Sequence, residues 1–262
     1  MSTDQKSKQS TRHHSGPRGK APLGRQRQNK LRELIAMGIP KRLAQQVACG
    51  HRDLSGVLQE MARQDKVDKL VAEHDLPHSL AVQCVLGQAD LDTYLAKRRR
   101  HQYRAEHGRR SVFEEAEQDG QRRTFAVLGR ANRHVHVEQV HRYELDVVEE
   151  EGAEPERLHK LQVKLVYRPE DRKAVRKALG RDKAYKNVVA EPTWRIQDRY
   201  HCHDKQLFPW LEAKTRVQLL TVEGDRVQGV IAWYSRYEIT LELRGDGRVT
   251  VLRHALVDAR EA

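Results

Sequence analysis

RVQGVIAWYSRYEITLEL, residues 226–243, decides the fold. Apolar residues run through it in a strand pattern: Val227, Val230 and Ile231, then Tyr237, Ile239 and Leu241. Gly229 sits inside that pattern, where a missing side chain lets a strand bend or another backbone approach closely. The phrase returns upstream as NRHVHVEQVHRYELDV, residues 132–147. At an offset of 94 the two copies pair Phe125/Leu219, Val137/Ile231, Val140/Tyr234, Arg142/Arg236, Tyr143/Tyr237, Glu144/Glu238 and Leu145/Ile239. The simplest account is one small β-module written twice: a strongly bent, five-stranded antiparallel sheet after a short helix. The shared RYE reads as part of a strand, with Tyr and its neighbours on opposite faces.

The surrounding sequence supports this. TFAVLG, LHKLQVKLVY, TRVQLLTVEG and RVTVLRHALVDA also read as strands, with turns at Gly, Asn and Asp. PEDRKAVRKALG (169–180) reads as a helix stopped by Gly180, and PWLEAK (209–214) as a short helix before a strand. Residues 30–100 read as helices with their own repeat. At an offset of 37, Ile39/Leu76, Pro40/Pro77, Leu43/Leu80, Ala44/Ala81, Gly50/Gly87, Asp53/Asp90, Leu54/Leu91 and Leu58/Leu95 match. Pro suits a helix start, Gly its stop, and Asp the next N-cap, so each unit reads as a helical hairpin packed on its copy. The MGIP phrase ahead of the short helices is similar to ubiquitin-associated-type three-helix modules. A DNA-reading helix-turn-helix is the alternative for this region.

The expected class is therefore α+β: a helical repeat module followed by tandem β-modules. Residues 1–29 read as a disordered basic tail, 30–100 as the helical module, and 101–121 as a basic, charged linker. Residues 122–200 form the first β-module with a helical extension, and 206–262 the second. Charge follows this division. Residues 1–30 carry eight Lys/Arg against one acid, and KRRRHQYRAEHGRR (97–110) carries seven against one. The formal charge is +12, and the rest of the chain is nearly neutral. Basic excess gathered in two short segments is a footprint for phosphate backbones and includes Arg98, Arg99 and Arg100. No apolar run reaches the roughly 18 residues of a membrane span. Cys49, Cys84 and Cys202 are odd in number and widely spaced, which fits reduced thiols and a cytoplasmic setting.

Residues 207–259 resemble the bacterial Hfq family of Sm-like RNA-binding proteins. The likeness is carried by a short helix, a strand, EGDRVQG (223–229), the bent aromatic region and Leu252-Arg253-His254-Ala255 in the place of a Tyr-Lys-His-Ala phrase. The resemblance implies an Sm fold, rings formed through edge strands, and RNA bound near the pore and on the opposite face. It implies that Tyr237 stacks on bases, with Arg253 and His254 contacting phosphate and uracil. Gly224 and Gln228 match the opposite face, and Arg236 accompanies Tyr237 in the shared RYE. The sequence departs from the family at Leu252, Leu220 and Asp225, which favours the pore side over A-rich binding. In the first copy Tyr143 matches Tyr237, but no basic-His-Ala phrase follows. His159-Lys160 stands nearest, and EEEGAEPE (149–156) adds an acidic loop, which suits a structural copy.

His201, Cys202 and His203 are adjacent but lack the spacing of a tetrahedral metal site. His134, His136 and His141 read as a solvated sheet face. Phosphate-loop, nucleophile-elbow and metalloprotease motifs are absent, so the sequence argues for no enzyme, no metal and no cofactor. The leading expectation is binding of single-stranded, U-rich RNA in post-transcriptional regulation, by a homo-oligomer with a possible protein partner on residues 30–100. An assembly scaffold and a DNA-associated protein are the alternatives.

Overall fold

Helix boundaries recur at 37 residues because the same punctuation recurs. In the computed structural model, which describes residues 24–150, 152–185 and 190–262, the chain opens with α1 (Arg25–Ala36), α2 (Lys41–Ala48) and α3 (Leu54–His74). Next come α4 (His78–Val85) and α5 (Leu91–His107), so α2 returns as α4 and α3 starts again as α5. Pro40 and Pro77 stand at the N-caps of the two short helices. Gly50 and Gly87 end them at φ +76° and +70°, a region that side chains disfavour. Asp53 accepts the Gly56 N–H at 3.2 Å and starts α3. Leu34, Ile39, Ala44, Val47 and Val57 form the core of this part.

The chain divides into two compact units, residues 1–91 and 92–262. The expected tail lies outside the described residues as far as residue 23, and from Arg25 onward the chain is helical. Much of the expected linker is helical too. α5 runs to His107, and α6 (Val112–Asp119) follows, with Ser111 as its N-cap. The basic run is helical, and Tyr103 anchors it against the ring of Tyr234 at 4.8 Å.

In the second unit the strands are β1 (Arg123–Val127), β2 (Arg133–Val140), β3 (Glu144–Val148), β4 (Glu156–His159) and β5 (Val163–Tyr167). An insert holds α7 (Arg172–Ala178) and β6 (Leu179–Arg181). Then come α8 (Asp204–Glu212), β7 (Arg216–Thr221), β8 (Asp225–Tyr234), β9 (Glu238–Glu242), β10 (Arg248–Leu252) and β11 (Leu256–Glu261). A 3₁₀ turn splits β4 from β5 at Lys160–Gln162 and β10 from β11 at Arg253–Ala255. One helix followed by this strand order therefore occurs twice, with α6 and α8 as the leading helices.

Hydrogen bonds repeat with the elements. β2 bulges at Val137/Gln139 and β8 at Ile231/Trp233. The next turns close by His141 N–H to Glu144 O (3.0 Å) and Ser235 N–H to Glu238 O (2.9 Å). Lys160 N–H donates to Tyr143 O (2.9 Å), and Arg253 N–H to Tyr237 O (2.8 Å).

All strands share one antiparallel sheet, ordered β11-β7-β8-β9-β10-β5-β1-β2-β3-β4, with β6 paired to β8. The two strand sets join where Thr250 and Val251 of β10 lie opposite Val166 and Leu165 of β5. Their cores interlock across that join. Leu252 packs in the first set's core with Phe113, Phe125 and Leu145. Ala126, Leu165 and Tyr167 pack in the second set's core with Val217 and Ile231. Within β8, a Cβ on Gly229 would meet Glu242 O at 2.6 Å, so glycine is there for close backbone approach. At the far edge, Ala259 of β11 donates its N–H to the Tyr200 hydroxyl (3.2 Å) and accepts from Gln206 Nε2 (2.9 Å).

Leu252→Ala is expected to cost about 2–5 kcal/mol, the usual range for a buried leucine that leaves a cavity. Urea unfolding of the two proteins measures it. A loss below about 1 kcal/mol would show that Leu252 is not part of the interlock.

Candidate nucleic-acid interface

The shared RYE lies mostly outside the strands. Arg236 and Tyr237 occupy the β8–β9 turn, Arg142 and Tyr143 the β2–β3 turn, and only Glu238 and Glu144 begin strands. Alternation therefore does not decide where the tyrosines point. Tyr237 is 60% exposed and Tyr143 59%. The Arg236 guanidinium carbon lies 5.3 Å from the Tyr237 ring centre, and that of Arg142 lies 5.0 Å from the Tyr143 ring centre. Each turn thus carries an exposed tyrosine with a planar cation over one face of its ring, two groups that suit an unpaired base and its phosphate.

The third residue of the phrase separates the copies. Glu238 is 2% exposed and accepts from Val112 N–H (2.7 Å) and Ser111 Oγ–H (2.9 Å). It therefore caps α6, the helix of the other strand set. Burial pushes its carboxyl up to about 7, although both donors pull the other way. Glu144 instead stays partly exposed, 3.9 Å from Arg157.

The basic run is brought beside Tyr237. Arg236 N–H donates to Gly108 O (3.3 Å), and the Tyr103 hydroxyl bonds both Tyr234 O (3.2 Å) and Tyr234 N–H (2.8 Å). Arg110 lies over the Trp233 ring at 4.4 Å and pairs with Glu115 at 2.5 Å. Arg109 is exposed next to it. Further up α5, Arg99 pairs with Glu212 (2.7 Å), Arg98 is exposed and Arg100 is half-buried.

Arg253 and His254 face inward. Arg253 donates to Ser235 O (2.8 Å), Asp204 (3.2 Å) and Cys202 O, and so holds the Tyr237 turn from below. His254 bonds Val163 O (2.9 Å) at the join, and burial lowers its pKa to about 4, which leaves it neutral. In the first copy Lys160 takes Arg253's place, with Nζ donating to His141 O at 2.5 Å. The offset changes here from 94 to 93, so Lys160 and not His159 is the counterpart of Arg253.

The opposite-face candidates are covered or internally paired. Gly224 is buried at φ +81° beneath Tyr185, and its carbonyl accepts from Asp182 N–H (2.8 Å). Gln228 Nε2 donates to Gln218 (3.0 Å). Asp225 and Glu223 both bind Lys164 of β5, the former at 2.6 Å, and Glu223 also accepts from Gly129 N–H (2.7 Å).

Among the described residues, no group of three or more His, Cys, Asp or Glu side chains could hold a metal. The candidate histidines have separate partners: His134 bonds Thr124, His136 bonds Gly120 O, and His141 bonds Asp146. The His201 and His203 rings stack at 6.2 Å around the buried Cys202, whose thiol burial pushes up to about 11. Among the described residues, no helix is long and apolar enough to cross a membrane.

No family model matches the chain, and no curated protein matches it. Among solved structures it is similar to a 1.55 Å crystal structure of the pleiotropic translational regulator Hfq. That match has 27% identity and a TM-score of 0.20, covering 21% of this chain and 92% of that one.

Glu238 and His254 give opposite pH dependences. Glu238 holds a proton in the folded state up to about 7 against an ordinary 4.5, so its contribution to stability falls as pH rises between those values. His254 refuses a proton until about 4 against an ordinary 6.5, so its contribution is lost on acidification through that window. Melting temperatures between those limits should rise more steeply with pH in Glu238→Gln than in the parent, and less steeply in His254→Gln. Parallel curves for all three proteins would remove both groups from the acid response.

Proposed function

We propose that this chain binds single-stranded RNA at the β8–β9 turn, through two copies of an Sm-like module joined in one sheet. Tyr237 stacks on a base, preferentially in U-rich sequence, while Arg236 and Arg109 hold the adjacent phosphates. Arg253 acts by fixing the turn. The observation that carries this reading is the Arg236–Gly108 bond, which sets an exposed Arg–Tyr pair against the basic run (3.3 Å). Aromatic faces accept any unpaired base, and clustered cations supply the salt-dependent part of affinity. The role that follows is post-transcriptional regulation in the cytoplasm, with residues 30–100 available to a protein partner.

Self-association is the second part of the reading. Extending the sheet with another copy would set that copy's β4 against β11, as β10 meets β5 within the chain. Matching the two joins puts Arg157 opposite Ala259, whose backbone is held by Tyr200 and Gln206. Tyr200→Phe combined with Gln206→Leu frees that edge. It should raise the share of higher-mass species in light scattering, and an unchanged distribution would exclude this edge from assembly.

Tyr237→Leu keeps an apolar residue and removes the ring. It should weaken U-rich single-strand binding by about 1–3 kcal/mol, with little change in salt slope. Tyr143→Leu should cost less, because no basic run lies beside that turn. Undiminished binding by folded Tyr237→Leu would defeat the proposal.

A further inference from the structure

The insert between the two strand sets carries a second basic surface. α7 turns Ala174, Val175 and Ala178 toward the sheet, with Val175 buried in the core of the second set. Ala174 packs on Gly247, where a Cβ would collide with it. The outer side presents Arg172, Lys173, Arg176 and Lys177, all exposed, along a shallow groove bounded by Pro169 and Glu170. Their spacing makes Arg172/Arg176 and Lys173/Lys177 like-charged i,i+4 pairs, each of which works against the helix. Nearby acids offset them only in part: Glu170 is the one acid lining the groove, Asp171 is half-buried, and Asp119 pairs with Arg123 (2.5 Å). Arg181 and Lys183 of the same insert are also exposed.

This surface lies away from Tyr237. The insert touches the β7–β8 turn at Gly224 and the β9–β10 turn at Gly247, and both lie at the strand ends opposite the β8–β9 turn. β8 has ten residues, so the two ends are separated by up to about 30 Å at roughly 3.3 Å per residue. None of the large exposed hydrophobic side chains lies on α7. The groove therefore offers charge without the apolar anchor on which protein interfaces depend. We propose that the outer side of α7 is a second contact surface for the phosphate backbone of single-stranded RNA, reading charge and not sequence. It rests on the RNA-binding reading and extends the bound strand to the other end of the sheet.

The test uses the full chain, a 30-nucleotide oligouridine and a variant combining Arg172→Gln, Lys173→Gln, Arg176→Gln and Lys177→Gln. Each phosphate contact on a single strand contributes about 0.7 to the salt slope, so losing four should reduce the slope by about 2–3. Affinity near 0.15 M salt should fall roughly ten-fold or more, with the preference for U over A unchanged. A parent that fails to bind the oligonucleotide overturns the RNA reading itself. A parent that binds, with a variant of equal slope, overturns only the α7 surface. Loss of polyglutamate binding at unchanged RNA slope would overturn it in favour of an acidic protein segment. If the fourfold variant unfolds, Lys173→Gln with Lys177→Gln keeps the test, with about half the slope change expected and no change again decisive against the surface.

Discussion

Thr250 and Val251 meet Val166 and Leu165 over a very short length of strand, yet the Tyr237 turn depends on that contact. The join brings α6 under Glu238 and seats His254 on Val163 O. It also places Lys164 between Glu223 and Asp225. Few backbone pairs are needed because each strand set lends side chains to the other's core. Leu252 enters one, and Leu165 and Tyr167 enter the other. The half-buried ion cluster favours this register of the join, since a displaced strand would leave Lys164 without its carboxylates.

The same three-residue phrase serves two purposes in its two settings. Arg and Tyr are presented outward in both copies, because a turn frees them from the sheet's alternation. The glutamate follows its surroundings: Glu238 finds two helix donors and is buried, while Glu144 has no such helix and stays beside Arg157. Chemical asymmetry thus arises from position in the sheet, with no change in the phrase itself.

Much of the architecture was legible because it is repeated. Gly50 and Gly87, or Val137 and Ile231, mark equivalent points that a single copy would not reveal. The strand set and α+β class follow from apolar patterning. The turn at RYE was hidden because the apolar pattern continues through both sides of a tight hairpin. Arg253 and His254 looked like a paired cationic site, but a sequence does not show Asp204, Cys202 O and Val163 O converging on them. The cover over Gly224 comes from Tyr185, 39 positions earlier, in an insert with no counterpart in the other copy. The docking of the basic run was hidden for a similar reason, since Tyr103, whose ring meets Tyr234, sits among charged residues that give no sign of it.

The join is made inside one polypeptide, and this changes its mass action. Two separate chains meeting through so short a strand contact would dissociate on dilution, and their platform would exist only above some protein concentration. Here the second partner is always present at the effective concentration set by the connecting chain. The composite surface around Tyr237 and α6 therefore forms at any abundance of the protein.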